Sequence, residues 1–160
     1  PIQISTECAI ELNKSWVLVY TGLQRSASKS LEKQVDNMIT KKIDKELSHL
    51  VSLARDSVSV FEESCPQKML NELGAMLDEG WMTKRGLSES ISNSNIDNLY
   101  TVAKKMGAYG GKLCGAGAGG FFMFLAPPEV INKMKKEFGE SNVLSISLDN
   151  SGSQVTQLGD

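Results

Sequence analysis

Gly115-Ala116-Gly117-Ala118-Gly119-Gly120 runs directly into Phe121-Phe122-Met123-Phe124-Leu125-Ala126, and the fold is read outward from this junction. The second half is a continuous apolar run of strand length, as expected of a strand buried on both faces, and Pro127-Pro128 ends it. The first half holds nothing but Gly and Ala. Such a run permits positive φ at several positions and lets the backbone approach a phosphate or another loop closely; it also serves as a plain flexible turn between a helix and a strand. Its place in the chain excludes two phosphate-binding loops. A dinucleotide fingerprint follows a strand and opens a helix, and a Walker loop ends in Lys-Ser/Thr.

Downstream, a helix is expected from about Pro128 to Phe138, then alternation through Val143, Leu144, Ile146 and Leu148. The turn Asp149-Asn150-Ser151-Gly152 leads to a final short strand through Val155 and Leu158. Upstream, Asn95 is positioned to cap a helix carrying Ile96, Leu99, Tyr100, Val102, Ala103 and Met106 that stops at Gly107. Pro66 suits a first helical turn, and Met69, Leu70, Leu73, Met76 and Leu77 carry a helix to Gly80. From Trp81 to Asn95 the Ser/Asn-rich chain has room for one short helix. A long amphipathic helix spans Ile43, Leu47, Leu50, Ala54, Val58 and Phe61. Before it, Ser26, Ser28 or Ser30 caps a helix through Leu31, Val35 and Met38, with a break near Thr40. Trp16-Val17-Leu18-Val19-Tyr20 reads as a buried strand closed by Thr21-Gly22. The order predicts an α+β domain with a small, mostly antiparallel sheet covered by helices.

The chain has 160 residues, 41% hydrophobic and 22% charged, with 17 Lys+Arg against 19 Asp+Glu. At this length one core buries roughly 70% of the unfolded surface, so packing alone can stabilise the domain. A net charge of -2 without a basic block argues against nucleic acid or an anionic membrane as partner. No apolar run approaches the ~20 residues of a membrane span. Cys8, Cys65 and Cys114 are widely spaced with no CxxC pair, which suits free thiols in a reducing cytoplasm better than disulfides or a zinc site. His49 stands alone on a charged helix and reads as a surface residue; Met69 and Met76 read as core.

Lys112-Leu113-Cys114-Gly115-Ala116-Gly117-Ala118-Gly119-Gly120, followed by an aromatic strand, resembles the third motif of the GHMP kinases. Tyr20 to Ala27, Leu77 to Trp81, Leu87-Ser88 and Ser92-Asn93 to Ile96-Asp97 further resemble the sugar-kinase branch that includes heptose 7-phosphate kinases. The resemblance covers most of the chain in order. It implies residues 1–160 as a ferredoxin-like C-terminal domain, acting with ATP and Mg2+ in transfer of a phosphoryl group to a hydroxyl of a sugar or sugar phosphate. Family members also carry an N-terminal domain with a Gly-Leu-Gly-Ser-Ser phosphate loop and the catalytic Asp. Neither is found here; Gly22 to Ser28 echoes the loop, but Gln24 and Arg25 stand where small residues are needed. The expectation is a C-terminal half with no catalytic residue and no metal ligand of its own, inactive alone, whose partners are a sugar substrate and its own N-terminal kinase domain.

On that resemblance the cofactor-binding residues are Lys112, Gly115, Ala116, Gly117, Ala118, Gly119 and Gly120. Thr21, Gly22, Arg25 and Ser26 form a strand-to-helix junction, where free N–H groups, the helix dipole and a guanidinium favour a sugar phosphate. Lys84, Ser88 and Asn93 add donors and acceptors suited to sugar hydroxyls. The alternative is a non-catalytic regulatory module of ferredoxin-like fold whose glycine loop binds a small effector.

Overall fold

The computed structural model describes residues 2–23, 35, 43–115, 117–149 and 151–155. In these, α1 (Thr6–Ser15) precedes β1 (Trp16–Tyr20); α2 (Asp44–Val60), α3 (Pro66–Gly86) and α4 (Ser94–Met106) lead to the hairpin β2 (Gly110–Leu113) and β3 (Phe121–Leu125). α5 (Pro128–Phe138), a 3-10 turn (Glu140–Asn142) and β4 (Val143–Ser145) complete the elements. The sheet order is β2-β3-β1-β4 and every pairing is antiparallel. Read from β4, this is the ferredoxin-like order, with β3 inserted between β1 and β2. The expected α+β class, with a small antiparallel sheet under helices, is the one observed.

Register explains the core. Val17 pairs with Phe124 and Val19 with Phe122, so four fully buried side chains share one face. α4 covers them with Ile96, Tyr100 and Ala103, and α5 with Val130, Ile131 and Met134. The rings of Phe122 and Phe124 stack at 4.5 Å, and Trp81 meets Phe122 edge-on at 5.1 Å. The opposite face is only partly covered. Leu125 joins a second cluster with Cys8, Leu12, Met69, Leu70 and Leu73, whereas Leu18, Phe121 and Met123 stay half-buried. The strand expected to be buried on both faces is therefore buried fully on one.

Five further expectations are corrected. α1 was not anticipated: Ser5 accepts from the amide of Cys8 as N-cap, and Cys8 and Leu12, four residues apart, enter the second cluster. α3 does not stop at Gly80 but continues to Gly86, because Trp81 is fully buried in the main core, outweighing the ~1 kcal/mol cost of an interior glycine. α4 is capped by Asn93, two residues before Asn95, through Oδ1 bonds from the amides of Asn95 and Ile96. Residues 110–113, where no element was expected, form a strand. Val155 is fully exposed and outside any strand, so no final strand passes through it. The expected helix through Ser26 to Met38, its break at Thr40, and Leu158 lie outside the described residues; Val35 alone there is described, and it is helical.

Glycine is essential in β2. A Cβ on Gly110 would stand 1.8 Å from the Gly74 carbonyl oxygen, and one on Gly74 would stand 2.4 Å from Tyr109 Cβ. α3 lies backbone to backbone on this edge strand and covers it. Nearby, Asp78 accepts from Tyr100 at 2.8 Å and pairs with Lys104 at 2.5 Å, joining α3 to α4. Burial first, then the bond to Asp78, pushes the Tyr100 phenol far above its ordinary range.

Candidate functional site

The glycine loop closes the β2–β3 hairpin at the end of the sheet where β1 finishes. Its first bond continues the ladder, from the Cys114 amide to the Phe121 carbonyl at 2.9 Å. The Ala118 amide then donates to the Ile91 carbonyl at 2.8 Å, and the Gly120 amide to the Leu23 carbonyl at 2.9 Å. Thr21 answers with two bonds, its amide and its Oγ1 each donating to the Gly120 carbonyl at 2.9 Å. Lys84 Nζ donates to the Gly115 carbonyl at 2.7 Å and to the Leu113 carbonyl at 3.4 Å. Three separate segments thus hold one loop.

Backbone geometry follows from that grip. Gly115, Gly117 and Gly120 have φ of +75°, +109° and +87°, and Ala118 has +66°, a conformation that a side-chain-bearing residue seldom adopts. A Cβ on Gly117 would meet Ile91 Cα at 2.9 Å, and one on Gly119 the Leu23 carbonyl oxygen at 2.6 Å. Those two glycines serve loop-to-loop packing. At Gly115 and Gly120 a Cβ would meet nothing within 4 Å. The loop's backbone bonds use the amides of Cys114, Ala118 and Gly120, and those of Gly115, Gly117 and Gly119 have no partner among the described residues. Unpaired amides on a loop with several positive-φ residues suit an anion.

Electrostatics are cationic here. Burial, and after it the charge of Lys112, hold the Lys84 ammonium below the usual lysine range, with Cys114 opposing. Lys112 is exposed on β2. Among the described residues no group of three His, Cys, Asp or Glu side chains converges.

The structure brings Thr21, Gly22 and Lys84 together with Gly115, Gly117, Ala118, Gly119 and Gly120. Gly22, at φ +73°, turns the chain out of β1. Ser88 and Asn93 flank Ile91, the loop's anchor, but their side chains are engaged locally: the buried Ser88 Oγ meets Ser90 Oγ at 2.9 Å, and Asn93 Oδ1 caps α4. Arg25, Ser26 and Ala116 lie outside the described residues. Ile91 and Leu23 escaped the sequence reading because both act through backbone carbonyls, which no side-chain signal marks. His49 pairs with Glu79 at 2.8 Å on the surface between α2 and α3, and all three cysteines are free.

Residues 61–142 match the family model "GHMP kinases C terminal". The chain belongs to this family. It is 31% identical over 143 residues to D-glycero-alpha-D-manno-heptose 7-phosphate kinase of Campylobacter jejuni, a match covering 87% of this chain and 41% of that protein. It is 30% identical over 132 residues to the bifunctional fucokinase/GDP-fucose pyrophosphorylase of Arabidopsis thaliana, covering 79% of this chain and 12% of that protein. Among solved structures, L. major mevalonate kinase in complex with R-mevalonate superposes with a TM-score of 0.61 at 19% identity, covering 84% of this chain and 43% of that one, a likeness of fold. This GHMP domain therefore spans well under half the length of these relatives.

Proposed function

We propose that residues 1–160 form the C-terminal domain of an ATP-dependent kinase that transfers a phosphoryl group to a hydroxyl of a sugar or sugar phosphate, with a heptose 7-phosphate as the first substrate to try. The observation that carries this reading is the glycine loop, gripped by Thr21, Lys84, Ile91 and Leu23 yet leaving the amides of Gly115, Gly117 and Gly119 unpaired among the described residues. Phosphoryl transfer depends chiefly on positioning and on charge stabilisation, and a fixed loop of free amides beside two lysines supplies both. When bound, ATP with Mg2+ supplies the transferable group and offsets its charge, and both are held mainly by an N-terminal domain.

Within this chain, Lys112 and the residues Gly115 to Gly120 are assigned to the nucleotide side. Thr21, Gly22, Arg25 and Ser26, with Lys84, Ser88 and Asn93, are assigned to the sugar side; Lys84 contributes by fixing the Gly115 carbonyl, and Ser88 and Asn93 by shaping the segment that presents Ile91. Arg25 is the cation that the sequence offers to a phosphorylated sugar, and one charge-assisted contact is worth about 1.5–3 kcal/mol, or roughly 10- to 150-fold. The expected site of action is the cytoplasm.

Steady-state ADP release by this chain joined to its N-terminal domain, with heptose 7-phosphate and with a neutral sugar such as fucose, tests the proposal. Preference for the phosphorylated sugar, reduced in Arg25→Ala through KM for the sugar rather than for ATP, is the expected result. No turnover with any sugar or sugar phosphate would overturn it.

A further inference from the structure

Between α2, α3 and the half-covered face of the sheet runs a groove of about 450 Å3, within the range of small-molecule sites. Its walls are apolar, including Trp16, Leu53, Ala54 and Leu77, and among the described residues the only charged ones lining it are Lys84 and Lys112. Trp16 and Lys112 fall on the same face of the sheet by strand alternation, since Trp16 and Gly110 both pair with Leu125. No carboxylate forms an ion pair with either lysine among the described residues. The Lys84 ammonium gives two of its three donors to the carbonyls of Leu113 and Gly115 and, among the described residues, retains one. Two like charges at one end of an apolar groove are mutually destabilising until an anion stands between them. A compact hydrophilic anion would leave the apolar wall unused.

We infer that this groove binds a soluble amphipathic monoanion, an alkyl chain lying along Trp16, Leu53, Ala54 and Leu77 with its carboxylate at Lys84 and Lys112. The groove shares Lys84 and Lys112 with the wall assigned to phosphoryl transfer, and the inference rests on its apolar lining rather than on that reading. Occupancy would place a ligand against Lys84, which also holds Gly115, and so couples the groove to the loop through one side chain.

Calorimetric titration of the chain with hexanoate, octanoate and decanoate, all below their aggregation thresholds, tests the inference. Affinity is expected to rise about 4-fold per methylene while the chain fits. Octan-1-ol is expected to bind at least about 10-fold more weakly than octanoate, and Lys112→Ala to lose a similar factor. Ala54→Trp, at an exposed helix position whose new ring fills the groove, is expected to abolish binding with the circular dichroism unchanged. Lys112→Ala keeps the test decisive should Ala54→Trp fold poorly. Affinity independent of chain length, equal binding of octan-1-ol, or unaltered binding by a folded Ala54→Trp each overturns the inference. Loss of binding when the chain is joined to its N-terminal domain also overturns it, assigning the groove to contact between domains.

Discussion

Gly117 combines two demands that one substitution separates from those at Gly115. Its φ of +109° disfavours any side chain, and a Cβ there meets Ile91 at 2.9 Å, so Gly117→Val strains the backbone and pushes the loop from its anchor. The expected cost is about 1–3 kcal/mol of stability, with turnover of the intact enzyme falling roughly 10-fold or more. Gly115→Ala, at φ +75° with open space around it, carries the backbone strain alone, of about 1–2 kcal/mol. Thermal melts with ADP-release rates on both variants check the ranking; equal effects would mean that the contact with Ile91 contributes nothing. Lys84 gives a pH signature. Its folded pKa is lowered, so between that value and the ordinary 10.5 the unfolded chain binds more protons and stability rises with pH. Lys84→Met lacks this rise, and the melting temperature of the wild type relative to Lys84→Met is expected to increase from neutral pH towards 10.5. The alkaline loss from Tyr100, whose raised pKa favours the folded state until pH passes 10, is common to both proteins and cancels. A constant difference would mean that Lys84 is not desolvated.

At the scale of elements, legibility followed side-chain content. Trp16–Tyr20 and Pro128–Phe138 appear with the expected bounds, and α4 ends at Gly107 in a left-handed C-cap, φ +110°. β2 was illegible because its pairing requires the residue that strand propensity disfavours. Gly110 and Gly111 form a strand because α3 and Phe124 leave no room for a side chain. α1 carried a readable signal in Ser5, Cys8 and Leu12, but ten residues with a single narrow apolar stripe were easily passed over. The same packing yields a pair of opposite outcomes on α3 and its neighbour. Gly110→Ala drives a methyl group into the Gly74 carbonyl and is expected to destabilise by about 1–3 kcal/mol or more. Gly86→Ala, at the exposed last turn of α3 with nothing within 4 Å, is expected to stabilise by up to ~1 kcal/mol. Urea titrations that gave both the same sign would contradict the close approach of α3 to β2.

For the molecule as a whole, composition and element order reached the α+β class, but the strand order β2-β3-β1-β4 was implied only by the family resemblance, since pairing partners are chosen by register and packing across long sequence separations. The candidate site was legible in part for the same reason: Thr21 and Gly120 lie 99 residues apart yet share two bonds, and Lys84 reaches Gly115 across 31 residues. On the proposed reading, what the fold assembles is one wall of a site. The loop offers amides beside two cations, Lys84 on α3 and Lys112 on β2, and the chain spans 41% of its heptose kinase relative. In that reading the metal belongs mainly to an N-terminal domain, and a wall that only orients phosphate oxygens lowers no barrier by itself, because the charge developing on the transferred group stays uncompensated. The chain alone is therefore expected to fold cooperatively and to release no ADP above background with heptose 7-phosphate, ATP and Mg2+, and to acquire turnover only when its N-terminal domain is supplied. Robust turnover by the 160-residue chain would show that residues within it complete the site, and would overturn the reading of the glycine loop as half of a shared one.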